Sequence, residues 1–150
     1  SAASDVYKRQ HFAFNEEKGL SWPVKGKVLM KFSMTDAVYF KTLAQYRCNP
    51  ALIIGGKVGQ NVKTAAAGEV LSVSKNDETG KTVTMNIGNG YTLTYGQLKA
   101  VSVKEGDELK AGETIGKLAA PSTAYTEEGC NLYFKVEQNG TAVDPLLLLD

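Results

Sequence analysis

Apolar and polar residues along this chain alternate mainly with a period of two. Residues 81–87 are the clearest case: Val83, Met85 and Ile87 fall on one face, and Thr82, Thr84 and Asn86 on the other. Asn89-Gly90 follows, and residues 91–95 alternate again, which predicts a tight hairpin because both turn residues must adopt positive φ. Asn139-Gly140 repeats the device between a strand at 132–137 and a short one at 141–143. Residues 51–54 form a short apolar run closed by Gly55-Gly56. Trp22-Pro23-Val24-Lys25-Gly26-Lys27-Val28 reads as an opening strand with a turn, and 36–46 as a weakly alternating strand with an irregular connection. No segment carries a helical period. Glycine punctuation every 8–12 residues or so is the mark of an all-β domain.

Composition agrees. The chain has 150 residues, 15 glycines and four prolines, is 43% hydrophobic and 22% charged, and suits one soluble domain with a real core. A net charge of +1 with scattered lysines argues against nucleic acid or an anionic membrane as partner. No apolar run approaches the ~20 residues of a membrane-spanning helix, and the chain reads as a fragment with its beginning missing. Residues 1–19 are expected to be linker or non-native sequence, with no role assignable to 1–10, and 20–150 to be the domain. Gly55-Gly56 is no phosphate cradle, since no helix N-terminus or lysine follows it. Asp36, Glu127, Glu128 and Asp144 make no evident catalytic pair, and Trp22 and Tyr91 read as packing residues.

Four anchors occur in order. They are Trp22-Pro23-Val24; Gly59-Gln60-Asn61-Val62 running to Gly68-Glu69-Val70; Asn89-Gly90-Tyr91 through Tyr95-Gly96-Gln97-Leu98 into the Val103 to Gly116 run; and Gly129-Cys130-Asn131-Leu132-Tyr133-Phe134-Lys135-Val136 with Asp144-Pro145. Together they resemble the LytM/lysostaphin-type zinc endopeptidases that cut peptidoglycan. The resemblance implies an antiparallel barrel-sandwich hybrid (a duplicated hybrid motif) with little helix. It also implies one zinc, held by a His, an Asp four residues later and the second His of a His-Leu-His strand, with an open position for water.

Placed on this chain, the zinc ligands fall on Asn49, Ile53 and Tyr133, the general base on Asn131, and the histidine of Tyr-x-His-Leu on Gln97. Isoleucine ligates nothing, an amide oxygen is a poor substitute for imidazole, and neither amide exchanges a proton near neutrality. The sole histidine, His11, lies ahead of the domain. Zinc, expected of the family, is therefore not expected here.

Two readings of the replaced positions stay open. Asn49, Gln97, Asn131 and Tyr133 line a polar groove for a peptidoglycan peptide or glycan, or they fill a former site. Cys48 and Cys130 each precede a vanished histidine and, by the resemblance, are either a disulfide in an oxidising compartment or two small buried residues. The implied function is a non-catalytic, extracytoplasmic domain of the cell envelope. It acts as scaffold, as binder of peptidoglycan or another envelope protein, or as regulator of wall hydrolases, in the manner of amidase activators and the sporulation channel, usually behind an N-terminal membrane anchor. The alternative is residual endopeptidase activity through an atypical metal site. The 103–116 run also resembles the hybrid barrel of lipoyl and biotinyl carriers, but their lysine-bearing attachment turn is absent.

Overall fold

The structure, a computed structural model, describes residues 12–150. Its strands are β1 (Val28–Met30), β2 (Ser33–Phe40), β3 (Gln45–Asn49), β4 (Leu52–Gly55), β5 (Asn61–Lys63), β6 (Gly68–Asn76), β7 (Gly80–Gly88), β8 (Tyr91–Lys99), β9 (Glu108–Leu109), β10 (Thr114–Leu118), β11 (Asn131–Gln138) and β12 (Thr141–Val143), followed by a 3₁₀ turn at Pro145–Leu147. Every strand pairing is antiparallel. The main sheet runs β1-β4-β11-β8-β7-β6-β9, with β10 bridging β5 and β8, and β12 on β11; β2 and β3 form a separate ribbon.

Alternation decides which side chains face which core. In β11, Leu132, Phe134 and Val136 enter the large core with Leu52 and Ile54 of β4, Leu93 and Tyr95 of β8, and Val83, Met85 and Ile87 of β7. Tyr133 points the other way, into a smaller cluster with Ile53, Ala51, Phe40, Ala124 and Tyr125. Each fully buried aliphatic or aromatic side chain here contributes about 2 kcal/mol through burial.

Both Asn-Gly turns form as their chemistry requires: Asn89 and Gly90 lie at φ 52° and 80°, Asn139 and Gly140 at 50° and 81°. The two turns also touch, Asn139 N donating to Gly90 O at 2.8 Å. Residues 22–28, expected to be an opening strand with a turn, hold bends at 23, 24 and 26 and no strand before β1 starts at Val28. Pro23 has no N–H to give a ladder, although its carbonyl accepts from Lys63 N at 2.9 Å. Residues 36–46 prove to be most of a hairpin. Their alternation is weak because a bulge sets Ser33 to Val38 of β2 against only Asn49 to Arg47 of β3.

The domain reaches further back than the expected boundary at Leu20. Phe12 and Phe14 are buried, Ala13 bridges Gly88, and Phe14 N donates to Ile87 O at 3.0 Å. The Phe14 ring meets Tyr91 edge-on, with centroids 4.9 Å apart. Gly88 permits the approach: at its φ of +95° a β-carbon would lie 1.7 Å from Phe12 O. Residues 12–19 are thus not linker. Residues 1–10, given no role, lie outside the described residues. Phe14→Ala should lower the unfolding free energy in urea by about 3 kcal/mol; an unchanged midpoint would mean that the segment merely lies on the surface.

Candidate functional site

The second face of the sheet carries the positions that the zinc-peptidase resemblance singles out. The register places Tyr133 of β11 opposite Ile53 of β4 on one side and Gly96 of β8 on the other, with Asn131 opposite Gly55. Asn49 ends β3 just before the chain turns into β4, and Gln97 follows Gly96. Above this row lie the β2–β3 ribbon and residues 122–130.

Each replaced side chain is engaged. Asn49 is fully buried; its Nδ2 donates to Lys31 O at 2.8 Å and its Oδ1 accepts from Ala51 N at 3.2 Å. Gln97 and Asn131 are buried and joined, Gln97 Nε2 donating to Asn131 Oδ1 at 2.7 Å. Asn131 Nδ2 donates to Gly129 O at 2.7 Å, and Gln97 Oε1 accepts from Ser122 N at 2.8 Å. Gln97 has a left-handed backbone, φ 68°, rare for a residue with a β-carbon. Its own backbone bonds offset that strain: N donates to Thr79 O at 2.5 Å and O accepts from Ala119 N at 3.0 Å. One glutamine thereby ties the β6–β7 turn and the 119–122 segment to the end of β8.

Ile53 is fully buried against the second cluster. Tyr133 is 8% exposed and borders a small cleft of about 250 Å³ with Asn49, Arg47, Glu78, Phe40 and Tyr125. Burial is the main reason its phenol is pushed up to about 12; Glu78 and Glu137 add to the rise and Arg47 opposes it. Burial raises Tyr125 as well. Both phenols are neutral hydrogen-bonding groups at physiological pH. The cleft's outer edge is an ion pair between Arg47 and Glu78, with the guanidinium carbon 4.4 Å from the centroid of the Phe40 ring. Ser122 Oγ donates to Glu78 O at 2.5 Å, and Thr42 Oγ1 donates to Glu128 Oε1 at 2.6 Å, so the ribbon and the covering loop are latched together.

Residues 48–145 match the model of peptidase family M23. The chain belongs to peptidase family M23. This M23 domain is 28% identical over 133 residues to stage II sporulation protein Q of Bacillus subtilis, matching 82% of this chain and 46% of that protein. It is 26% identical over 132 residues to a lipoprotein NlpD/LppB homolog of Pseudomonas aeruginosa, covering 87% of this chain and 40% of the relative. The chain thus spans less than half the length of these curated relatives. Among solved structures, the SpoIIIAH and SpoIIQ complex superposes with a TM-score of 0.71 at 26% identity, covering 85% of this chain and 98% of that one. Helicobacter pylori Csd3 superposes with a TM-score of 0.71 at 25% identity, over 87% and 34%.

A zinc ion does not fit the residues at the positions that the resemblance assigns to the metal. Asn49 has spent its amide on backbone partners, Ile53 offers only carbon, and Tyr133 holds its proton to a pH far above neutrality. Among the described residues no group of three or more His, Cys, Asp or Glu side chains converges as a metal site elsewhere; His11 lies outside them.

Among the described residues, the four groove candidates fall at different places: Asn49 and Tyr133 border the small cleft, Gln97 borders another, and Asn131 is buried. The disulfide reading is corrected, since both cysteines are free. Cys48 is exposed with its Sγ 3.5 Å from Met34 O, whereas Cys130 packs toward the large core with its Sγ 3.2 Å from Ala119 O. The reason is register: Cys130 O accepts from Gly56 N, beyond the far end of β4 from Cys48. Arg47, Glu78 and Tyr125 were missed from sequence, since only the fold brings ribbon, turn and loop together.

Two measurements check this picture. Thiol titration of denatured, unreduced protein should find both cysteines reactive. A phenol pKa raised above its unfolded value of about 10 gives stability that is full below pH 10 and fades as pH climbs through about 12. Tyr133→Phe should therefore flatten part of the alkaline stability loss between those two values; an unaltered profile would show that Tyr133 titrates as if exposed.

Proposed function

We propose that this M23 domain is a non-catalytic module of the bacterial cell envelope, retained to bind and position a partner and not to cut peptidoglycan. One observation carries the reading. Every position to which the resemblance assigns a metal ligand or a proton carrier serves hydrogen bonding or packing within the fold, and no proton carrier titrating near neutrality stands among them.

The relatives support the direction. One is a stage II sporulation protein, SpoIIQ is solved in complex with SpoIIIAH, and a 26% identical relative from Salmonella typhimurium is a murein hydrolase activator, NlpD. By that likeness the partner is another envelope protein, a wall hydrolase among the candidates, or peptidoglycan itself. The setting is extracytoplasmic, with anchoring left to sequence outside this domain. Among the described residues no helix is long and apolar enough to cross a membrane.

The deciding experiment measures zinc by elemental analysis after equilibration with zinc and dialysis, alongside clearing of purified cell walls. Zinc far below stoichiometry and no clearing are expected. One zinc per chain together with wall hydrolysis would replace this reading with that of an M23 endopeptidase using an atypical metal site.

A further inference from the structure

The sheet sets some of the lysines, scattered in sequence, opposite one another. Lys75 of β6 lies directly opposite Lys81 of β7, and Lys99 of β8 directly opposite Lys117 of β10. Like charges in direct cross-strand register are destabilising unless something neutralises them. None of these lysines is in an ion pair among the described residues, where the pairs are Arg47–Glu78 and Lys135–Glu137. Lys75, Lys81 and Lys99 line a cleft of about 490 Å³ whose walls also include Gln97, Ser122, Thr123 and a single acid, Asp77. The cleft's rim includes Ala100, held left-handed at φ 49° immediately after Lys99, where an alanine has no side-chain hydrogen bond to offset the strain.

We propose that this cleft binds the phosphate groups of an anionic phosphodiester or polyphosphate chain. Three lysines line one concave surface, and no arginine is among them. Guanidinium forks match planar carboxylates bidentately, whereas ammonium groups act as point charges suited to compact, multiply charged anions. The concavity favours a chain lying in the cleft over a flat lipid surface resting on it. Gln97, held rigid by its bonds to Asn131 and Thr79, fixes the cleft floor. The proposal is independent of whether the neighbouring M23 site retains any chemistry.

The test is calorimetric titration of the whole chain, at low and at moderate ionic strength, with inorganic polyphosphate, polyglutamate and phosphatidylglycerol vesicles. Saturable binding of polyphosphate that weakens with salt is expected, with weaker binding of polyglutamate and of vesicles. The triple variant Lys75→Gln, Lys81→Gln, Lys99→Gln should bind polyphosphate at least about tenfold more weakly. Lys104→Gln with Lys110→Gln, which changes charge outside the cleft, should bind nearly as wild type. The triple variant should also melt no lower than wild type, because it relieves repulsion, so loss of fold is separable from loss of binding. Equal affinity for polyglutamate, preference for vesicles, or an equal loss in the control variant would each overturn the proposal.

Discussion

The hydrogen-bonded row β4-β11-β8 is the constraint on which the rest depends. Its register sets Tyr133 between Ile53 and Gly96, and Phe134 between Leu52 and Tyr95. A slip of one residue would turn every side chain of β11 to the opposite face, exchanging the large core for the small one. Because both faces of β11 are covered, that slip would bury Lys135 and Glu137 where Phe134 and Val136 now pack. The strand therefore fixes two cores at once, and with them the place where a site has to lie.

At that place the structure is built for cohesion. The ribbon, the covering loop and the β6–β7 turn are fastened to one another by Arg47–Glu78, Thr42–Glu128 and Ser122–Glu78, and the Gln97–Asn131 amide pair ties β8 to β11. These bonds join distant stretches of chain; of the carboxylate that Thr42 engages, Oε1 accepts a hydrogen bond while Oε2 of Glu128 is buried without a partner. Losing either amide of the Gln97–Asn131 pair would strand its partner away from water, which costs more than the bond itself is worth.

Much of this was legible in the sequence, for identifiable reasons. Asn89-Gly90 and Asn139-Gly140 were readable because few other residue pairs accept two successive positive φ angles. Strand β7 was readable because one of its faces is strictly apolar. The family itself was readable because four motifs occur in order, and residues 48–145 match its model. What escaped was set by contacts between distant segments. The packing of Phe12 and Phe14 depends on the bare backbone at Gly88, and the ribbon's alternation is broken by a bulge. The proximity inferred for Cys48 and Cys130 failed because register places them at opposite ends of β4. The lysine cleft draws on β6, β7 and β8, and no local pattern announces it.

Ile53 has a consequence for the chemistry this position can hold. It is the position that the zinc-peptidase resemblance assigns to a carboxylate, and Phe40, Ala51, Ala124 and Tyr125 pack around it. An aspartate placed there alone would sit in an apolar cluster, at a cost of several kcal/mol. Against a typical total stability of about 5–15 kcal/mol, that is a large share of the whole. The packing around Ile53 therefore sets a folding cost on any acidic ligand at this position, and a metal could be accommodated there only by remaking the cluster with it.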